Sequence, residues 1–494
     1  MTELKVLMLN PPFMKYYSRQ SRSPCVTKSR TLYFPYYLAY ATGALEKEGY
    51  KVKLIDAVAT KWTEKETIEF TKKEKFDFIV LDTSTPSIFN DIKIAEKIKE
   101  ALPKSHITMV NTHVTNLPEW TLNQSNSIDS VCIGEFDNTV VFLVDALSKG
   151  KELDKVPGIA FRKGKKIIKT EERKLVENLD DLPFVSEIYL RHFGEKQIKE
   201  YFYASINWPE IQILTARGCP NGCSFCNIPM KKSYRTRSIE NVIKEFKFIQ
   251  ENMPFLNEIM LEDDTFAADK QRTIDLCNAM IKEGIKFTWS TNARVNTDFE
   301  TLQKMKQAGC RLVCVGFETP TQNVLNNILK GQTKNMQVDF KKRADKAGIL
   351  VNGCFILGLP SDTPETMQAT IDFAKFLNPN TAQFYPLMIY PGTTAYKWAK
   401  ENNFVSTEDY RKWITKEGLH NTVINRPELS AEELVKWCNK ARIEFYAKNP
   451  KYWLKMIKQV IKNPKEGARI FKGGTELVKH LGKSVFSGNA KVKK

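Results

Sequence analysis

Residues 216–226 read ARGCPNGCSFC and come directly after a short apolar run, IQIL at 211–214. Cys219, Cys223 and Cys226 therefore follow a predicted strand at a C-x3-C-x2-C spacing. Three thiolates at this spacing can bind three irons of a cubane [4Fe–4S] cluster, because the glycines let the backbone curl around the metal. The motif leaves the fourth iron without a protein ligand. We predict that these three cysteines are metal ligands.

A structural zinc site is the alternative interpretation of the same cysteines. Zinc in such sites has four protein ligands. The nearest further Cys or His is His192, which lies well upstream and outside any usual finger spacing. Unrelated buried thiols explain this regular spacing poorly. The pattern favours an iron–sulfur cluster.

The motif resembles that of the radical SAM superfamily. In that family the open iron is chelated by the amino and carboxylate groups of S-adenosylmethionine. An electron from the cluster then splits this molecule into methionine and a 5′-deoxyadenosyl radical. The resemblance implies a [4Fe–4S] cluster and S-adenosylmethionine as cofactors, and an electron donor such as a ferredoxin or flavodoxin as a partner.

Size and composition indicate a globular protein of about three units. The chain has 494 residues, of which 42% are hydrophobic, and a mean hydropathy of −0.39. No apolar run approaches the roughly 18 residues of a membrane span. The N-terminus enters a predicted strand without a signal peptide. Ten cysteines without a disulfide-like framework indicate a reducing compartment, so we expect a cytoplasmic location.

The positive charge of the chain indicates an acidic partner. The net charge is +18, and residues 442–494 contain fourteen Lys and Arg against three Glu. Within 451–462, lysines 451, 455, 458 and 462 recur at helical spacing among aromatic and aliphatic residues. This pattern is typical of a helix at an anionic membrane surface. It also fits a helix that packs its apolar face on the protein. We expect a peripheral membrane contact and no nucleic acid.

Residues 1–150 alternate strands and helices. The strands are predicted at 5–10, 50–56, 76–81, 106–110 and 130–133, with helices at 34–47 and 89–101 among the segments between them. This is the pattern of a doubly wound parallel sheet. The domain has no G-x-G-x-x-G, which argues against a dinucleotide. Ligands of such sheets bind at the carboxyl ends of the strands, here at 10–13 and 82–87.

A domain of this kind before a radical SAM core resembles the cobalamin-binding module of the cobalamin-binding radical SAM class. The resemblance implies cobalamin near Thr83 and Ser84. The module's D-x-H-x-x-G loop is absent, since no His follows the first strand before His106. His113 is interpreted as a surface-loop residue. Cobalamin would therefore bind without a protein imidazole on cobalt, and an empty scaffolding domain is the alternative.

The rest of the chain divides into three predicted parts. Residues 151–205 are an irregular, charged connector, 206–420 form the radical SAM core, and 421–494 form a basic helical region. Six strands are predicted in the core, at 211–215, 258–261, 286–290, 311–316, 351–357 and 381–388, with helices such as 238–252, 301–308 and 365–377 between them. The fold class is α/β: a doubly wound sheet, then a partial (βα)6 barrel with its chemistry at the carboxyl strand ends.

Polar side chains follow the barrel strands where the resemblance places S-adenosylmethionine. It assigns Asp263 or Asp264 to the amino group, and Glu318 to the ribose or amino group. It assigns Arg294 to the carboxylate, with Asn292 beside it. A guanidinium suits a carboxylate, and a carboxylate suits a pair of ribose hydroxyls. The alternatives are that the Asp residues cap the next helix and that Arg294 only pairs with these acids.

The remaining cysteines of the core are predicted to be buried apolar thiols. Cys310 and Cys314 share a C-x3-C spacing but lack a third partner. Cys277, Cys354 and Cys438 are interpreted in the same way.

A finer resemblance rests on four segments: 82–87, 234–238, 262–266 and 390–393. Together they are similar to the branch that contains hopanoid cyclitol-ether enzymes and archaeal tetraether-lipid ring synthases. The branch implies hydrogen abstraction from an unactivated carbon and closure of a cyclopentane-type ring. The substrate would be a membrane lipid, modified either on its isoprenoid chains or on a calditol-type head group.

Three other functions stay open. A cobalamin-dependent radical SAM methyltransferase is the first alternative. A tRNA methylthiotransferase would need a second cluster from three N-terminal cysteines, and only Cys25 and Cys132 lie there. A non-enzymatic iron–sulfur or zinc protein is the alternative from another class.

Overall fold

A computed structural model describes residues 4–228, 230–462 and 467 of the chain, with only the main chain of Lys462. It contains two parallel sheets with helices around them, as predicted. Most of their strands read as near-continuous apolar runs because they are buried on both faces.

The first sheet has seven strands in the order β2-β1-β3-β4-β5-β6-β7. Strands β1 to β5 are parallel, and β6 and β7 are antiparallel additions at one edge. The strands are β1 Lys5–Asn10, β2 Lys51–Asp56, β3 Phe78–Asp82, β4 His106–Val110, β5 Ser130–Cys132, β6 Ile159–Lys163 and β7 Lys166–Lys169. The helices are α1 Tyr36–Lys47, α2 Glu64–Glu74, α3 Ile88–Ala101, α4 Thr112–Asn116, α5 Pro118–Gln124, α6 Asp137–Ser148 and α7 Val185–Ile198.

The segment 151–205 differs from the irregular connector expected there. Strands β6 and β7 extend the first sheet, and α7 packs against α1. The strands are short, and charged residues stand at their ends, at 162–163, 166 and 169. The sequence pattern therefore did not separate them from the charged segment around them. The edge strand β7 keeps its outer positions Lys166 and Lys169 in solvent.

The second sheet has six parallel strands in the order β15-β14-β13-β12-β11-β8. A two-stranded ribbon of β9 and β10 lies beside it. The strands are β8 Glu210–Ile213, β9 Ala216–Arg217, β10 Arg235–Thr236, β11 Glu258–Leu261, β12 Thr288–Ala293, β13 Cys310–Glu318, β14 Leu350–Leu357 and β15 Thr381–Pro386. The helices are α8 Ile239–Asn252, α9 Lys270–Lys282, α10 Phe299–Gln307, α11 Gln322–Asn327, α12 Lys334–Ala347, α13 Pro364–Leu377, α14 Thr394–Glu401, α15 Ala431–Arg442 and α16 Pro450–Lys462. This is the predicted six-stranded partial barrel.

Helix α1 joins the two sheets. It packs against α6 and α7, and the hydroxyl of its Tyr40 accepts a hydrogen bond from the Leu214 N–H at 3.2 Å. Just before it, the Phe34 N–H donates to the Gln212 side chain on β8 at 3.2 Å. The two domains therefore share a core, and their carboxyl strand ends are held in a fixed relation.

Helix α16 is the described part of the basic region that was predicted either to lie at a membrane or to pack on the protein. Tyr452 and Met456 are buried against the protein, whereas Trp453, Leu454, Ile457 and Ile461 are exposed. One face packs on the core and another apolar face remains in solvent. Apart from Gly467, the predicted basic tail beyond Lys462 lies outside the described residues. In the described part of the chain, no helix has the length and apolar character needed to cross a membrane.

We expect Gly43→Ala to destabilise the protein by about 1–3 kcal/mol, because it overpacks the contact between α1 and the segment before α7. A Cβ at Gly43 would lie 2.4 Å from Cγ of Pro183 and 2.7 Å from Cδ1 of Ile188. Urea unfolding would measure the loss. Glu69→Ala on the exposed face of α2 is the control, and an unchanged midpoint for Gly43→Ala would show that the contact is not tight.

Candidate active site

The loop that carries the three cysteines is fixed at both ends. Its start, β9, pairs with β10, which follows the loop. Gly218 has a φ of +85°, and a Cβ there would lie 2.4 Å from the Ser233 carbonyl oxygen. Only glycine fits this position. The sequence therefore closes residues 218–234 into a compact loop at the carboxyl edge of the second sheet.

The three thiols lie on this loop at the mouth of the barrel. Cys219 and Cys223 are buried and Cys226 is half-buried. The Cys226 N–H donates to the Cys223 carbonyl at 3.2 Å, so one turn separates these two. Cys219 Sγ lies 3.2 Å from Oγ1 of Thr265, directly after β11. The loop faces the strand ends where the other candidate residues lie.

The donor set fits a cluster bound by three cysteines. All three thiols lie on one loop at the carboxyl edge of the second sheet, and none of them is in a disulfide. Burial raises the pKa of Cys226 to about 11. Iron binds thiolates, so cluster binding must release this proton.

His192 does not complete a zinc site. Its Nε2 lies 2.8 Å from Glu46, and its Nδ1 accepts from the Leu54 N–H at 3.2 Å. Both partners belong to the first domain. The zinc interpretation therefore lacks the fourth ligand that it needs.

The three acids after β11 have different partners. Asp263 is fully buried, and its carboxylate accepts from the Thr215 N–H and hydroxyl, both at 2.6 Å, and from the Ala216 N–H at 3.1 Å. These bonds hold the strand that leads into the cysteine loop. Asp264 accepts from the Gly218 N–H at 3.2 Å. Both residues were predicted to bind the amino group of S-adenosylmethionine. The Asp263 carboxylate already accepts three hydrogen bonds from within the protein, and Asp264 is the more exposed of the two.

Arg22 reaches this acidic group from the first domain, and its position could not be read from the sequence. It lies 3.4 Å from Glu262 and 3.3 Å from Asp264. Glu262 is buried, and its second carboxylate oxygen, Oε2, has no hydrogen-bond partner among the described residues. Burial raises the pKa of Glu262 to about 7. Glu262 therefore joins Asp264 as a candidate acceptor for a ligand ammonium.

Arg294 and Asn292 lie at the end of β12, as predicted. Arg294 Nη1 is 3.9 Å from Cys223 Sγ, and Nη2 donates to the Lys330 carbonyl. Asn292 donates to the Asp263 carbonyl at 3.0 Å. Arg294 thus places a guanidinium beside a cluster thiol, where a carboxylate bound to the open iron would need it.

Glu318 is buried at the end of β13 in a left-handed backbone conformation, with a φ of +62°. The register with β14 shifts at this point, which marks a bulge. Its carboxylate lies 2.6 Å from Lys330 Nζ. Burial is the largest effect and lowers the pKa of Lys330, but the charges of Glu318 and Cys223, together with the hydrogen bond to Glu318, leave this pKa raised. Strain of this kind concentrates at functional sites, and Lys330 is a partner that the sequence did not reveal.

Thr83 and Ser84 do not face open space in the first domain. Both are fully buried. Thr83 donates to the Val110 carbonyl at 2.8 Å, and Ser84 lies 2.8 Å from the hydroxyl of Tyr17. Tyr17 belongs to the segment between β1 and α1, which covers the ends of β1 and β3. Direct contact of cobalamin with these two side chains would require that segment to move.

A cavity of about 540 Å³ opens at the same edge of the first sheet. It is lined by residues 12–15 after β1, by residues 57–58 and 61–64 after β2, and by Asn90 and Ile94 of α3. The loop 10–13 therefore contributes to a cleft as predicted, whereas 82–87 does not. Ligands of doubly wound sheets bind at such edges. No histidine is among the described residues that line it.

His113 is buried, so its interpretation as a surface-loop residue is wrong. Its Nδ1 lies 3.2 Å from Oγ1 of Thr85. Trp120 and Tyr410 pack edge-on against the ring at 5.3 and 5.0 Å between centroids. Burial lowers the pKa of His113 to about 3, so the ring is neutral. The second domain supplies Tyr410, which the sequence could not place here.

A buried ion cluster joins the edges of the two sheets. Arg217, two residues before Cys219, lies 2.8 Å from Glu135 and 2.7 Å from Asp137, which follow β5. Arg235 of β10 also pairs with Glu135, at 2.9 Å. The Arg217, Glu135 and Asp137 side chains are at most 2% exposed. This cluster attaches the cysteine loop to the carboxyl edge of the first sheet.

The other core cysteines lie as predicted, with one difference. Cys277, Cys310, Cys314 and Cys438 are buried, and Cys354 is half-buried. Burial raises the pKa of Cys314 to about 11, which leaves it a neutral thiol.

Comparison with known proteins identifies both domains. Residues 22–144 match the family model of the B12 binding domain, and residues 213–374 match that of the Radical SAM superfamily. An uncharacterized methyltransferase of Pyrococcus horikoshii is 34% identical over 426 residues, which cover 86% of this chain and 90% of the relative. The chain belongs to the cobalamin-binding radical SAM superfamily.

Two further relatives agree with this assignment. A cytidylyl-2-hydroxyethylphosphonate methyltransferase of Streptomyces wedmorensis is 24% identical over 501 residues, covering 90% of each chain. The solved structure of the methyltransferase TsrM from Kitasatospora setae, with cobalamin and a [4Fe-4S] cluster bound, covers 90% of this chain and 89% of its own. Its TM-score is 0.68 at 17% identity, which shows the shared fold.

The cofactor predictions are confirmed at the level of the family. A radical SAM domain implies a [4Fe–4S] cluster and S-adenosylmethionine, and the B12 binding domain supports cobalamin. The finer resemblance to hopanoid and tetraether ring enzymes is not confirmed, because the relatives named above carry methyltransferase names and others carry the name of an anaerobic magnesium-protoporphyrin IX monomethyl ester cyclase.

We expect Cys223→Ala to fold but to lose the cluster and the cleavage of S-adenosylmethionine, because two thiolates cannot anchor a cubane. Iron content, thiolate-to-iron absorbance and 5′-deoxyadenosine yield after reconstitution would measure this. Cys277→Ala removes a buried thiol away from the loop and should keep all three. Wild-type yield from Cys223→Ala would overturn the ligand assignment.

Glu262→Gln should change how stability depends on pH. The folded pKa of about 7 lies above the ordinary value of 4.5, so the folded state keeps a proton that the unfolded state loses between these values. The free energy of unfolding of the wild type should fall as pH rises through this window, by up to about 3 kcal/mol.

The substitution should remove that slope, so the variant should gain stability relative to wild type at pH 8 but not at pH 4. Urea unfolding at several pH values would show it, with Glu69→Gln on α2 as the control. Parallel pH profiles for wild type and Glu262→Gln would contradict the raised pKa.

Proposed function

We propose that the protein is a cobalamin-dependent radical SAM methyltransferase, which moves a methyl group from S-adenosylmethionine through cobalamin to an acceptor. The observation that carries this proposal is the ion cluster of Arg217, Glu135 and Asp137. Its ion pairs of 2.7–2.8 Å hold Arg217, just before the cysteine loop, against the residues that follow β5. A carrier that exchanges a methyl group must sit close to the donor, and this contact keeps the carboxyl edges of the two sheets next to each other.

The residues at the barrel mouth would bind and orient S-adenosylmethionine. Cys219, Cys223 and Cys226 would hold the cluster, which supplies the open iron and the electron. Arg294, beside Cys223, would pair with the carboxylate of S-adenosylmethionine. Asp264 and Glu262 would accept from its amino group in place of part of their contact with Arg22. Glu318 would accept from the ribose, held in place by Lys330.

The first domain would bind the methyl carrier. Cobalamin, when bound, supplies a cobalt that accepts and releases a methyl group. The cavity beside Pro12 and Phe13 would offer the opening for it at the sheet edge. The segment that carries Tyr17 and Arg22 covers the neighbouring strand ends and contacts the barrel acids. It is therefore the element that would adjust when either cofactor binds.

Methyl transfer is better supported than ring formation on archaeal lipids. The full-length relatives carry methyltransferase names, and none of the site contacts described above favours a lipid chain over another acceptor. An electron donor such as a ferredoxin or flavodoxin remains part of the proposal, because the cluster must be reduced for radical chemistry.

The fate of the S-adenosylmethionine methyl group tests this function. The reconstituted protein, supplied with reductant and methyl-deuterated S-adenosylmethionine, should form S-adenosylhomocysteine only when cobalamin is present. Cys223→Ala and protein without cobalamin are the controls. Formation of 5′-deoxyadenosine and labelled methionine alone, with no S-adenosylhomocysteine, would contradict methyl transfer and favour hydrogen abstraction as in a ring-forming enzyme.

Asp137→Asn should weaken the link between the two edges while the cluster stays bound. We expect cobalamin-dependent S-adenosylhomocysteine formation to fall by about tenfold to a hundredfold, because small displacements between reacting groups have effects of this size. Iron content should be unchanged. Asp145→Asn, on the outer face of the same helix α6, is the control. Equal losses of iron and activity would instead mean that the variant unfolds the loop.

A further inference from the structure

Helix α16 is held to the protein by one face. Tyr452 and Met456 are 7% and 5% exposed. The Tyr452 ring packs on Phe445 and Tyr446 at 5.2 and 5.1 Å, and Asn380 donates to Gln459 at 3.0 Å. These contacts fix the rotation of the helix about its axis.

The fixed rotation leaves a second apolar face in solvent. Trp453, Leu454, Ile457 and Ile461 are 52, 60, 54 and 75% exposed. Positions 453, 454, 457 and 461 lie on one side of an α-helix. We call these four residues the outer stripe. Single exposed apolar residues are common on protein surfaces, but a contiguous set on one helix marks an interaction site.

Lysines flank the outer stripe. Lys451, Lys455 and Lys458 follow each other at helical spacing, and α16 contains no Asp or Glu. Lys451 and Lys458 are exposed, while Lys455 is partly buried and donates to the Asn378 carbonyl at 2.7 Å. The sequence from 442 to 494 adds to this excess, with fourteen basic residues against three acidic ones. The partner of this face must therefore combine apolar surface with negative charge.

We propose that the outer stripe docks the protein on the interface of an anionic lipid bilayer. A helix of 13 residues cannot span the membrane but can lie in its plane, with the outer stripe among the acyl chains and its lysines near lipid phosphates. Trp453 suits the headgroup level, where tryptophan is enriched.

A lipid surface explains this face better than a folded protein partner. Four half-exposed side chains offer roughly half of the ~800 Å² per partner of a standard protein–protein interface. A bilayer needs no matching surface and adapts to a convex ridge. The inference does not depend on methyl transfer, because it rests only on α16 and its charge.

Co-sedimentation of the full-length protein with vesicles tests the proposal. The protein should bind vesicles of phosphatidylcholine with phosphatidylglycerol, bind phosphatidylcholine alone weakly, and be released by salt. Ile457→Ser with Ile461→Ser should lower partitioning at least about tenfold. Lys451→Gln with Lys458→Gln should lower it about 25-fold, at about fivefold for each lysine.

Matched variants elsewhere control for hydrophobicity and charge. Ile281→Ser removes an exposed apolar residue from α9, and Lys65→Gln with Lys342→Gln removes two exposed lysines from α2 and α12. Both should bind as wild type does. Circular dichroism and cleavage of S-adenosylmethionine without lipid should be unchanged in all of these variants, which separates docking from folding and from the proposed function.

Oxidative footprinting of Trp453 identifies the occupant directly. Its oxidation should fall only when anionic vesicles are added. Protection without vesicles that does not depend on protein concentration would assign the outer stripe to the chain's own residues beyond 462. Protection that rises with concentration would assign it to a second copy. Either result would overturn the proposal. Wild-type vesicle binding by both the isoleucine double variant and the lysine double variant would overturn it as well.

Discussion

The buried cluster of Arg217, Glu135 and Asp137 is the interaction on which the arrangement of the site depends. A guanidinium with almost no solvent exposure is stable only if its charge is compensated, and here two carboxylates lie within 2.8 Å of it. The aromatic ring of Tyr40 on α1 lies 4.7 Å from the guanidinium and closes the site from the helix side. Removing one partner would leave a buried charge, so the two domains cannot separate here at low cost.

This constraint connects the chemistry of both domains. Arg217 directly precedes the cysteine loop, and the two acids follow β5 of the cobalamin-binding domain. Two acids of the barrel also hold this part of the chain. Asp263 accepts a hydrogen bond from the Thr215 N–H, and Asp264 accepts one from the Gly218 N–H. Arg22 of the first domain also contacts the acids beside this loop, Glu262 and Asp264. The cysteines therefore lie on a loop whose anchors come from two sheets, which suits two cofactors that must act on each other.

The sequence predicts the fold well because the parallel strands of both sheets are largely buried, so many of them are short apolar runs. Strands β1, β4 and β11 begin and end where the periodicity placed them. The sequence-based prediction fails at β6 and β7, because their charged residues are typical of a loop. For the site, the motif spacing locates the three cysteines, and the strand ends locate Asp264, Arg294 and Glu318. Arg22, Lys330 and the Arg217 cluster could not be predicted, because their partners lie 12 to 242 residues away in the chain. Asp263 was predicted to bind S-adenosylmethionine, but its carboxylate accepts hydrogen bonds from Thr215 and Ala216. The sequence pattern does not reveal these contacts.

We propose that the cysteine loop and the carboxyl edge of the first sheet are held together for methyl transfer. Electron paramagnetic resonance of the protein loaded with a reduced cluster and cobalt(II) cobalamin tests this proposal. We expect a magnetic coupling between the two centres that weakens in Asp137→Asn but not in Asp145→Asn. Two superimposed spectra of isolated centres, identical in wild type and Asp137→Asn, would contradict it.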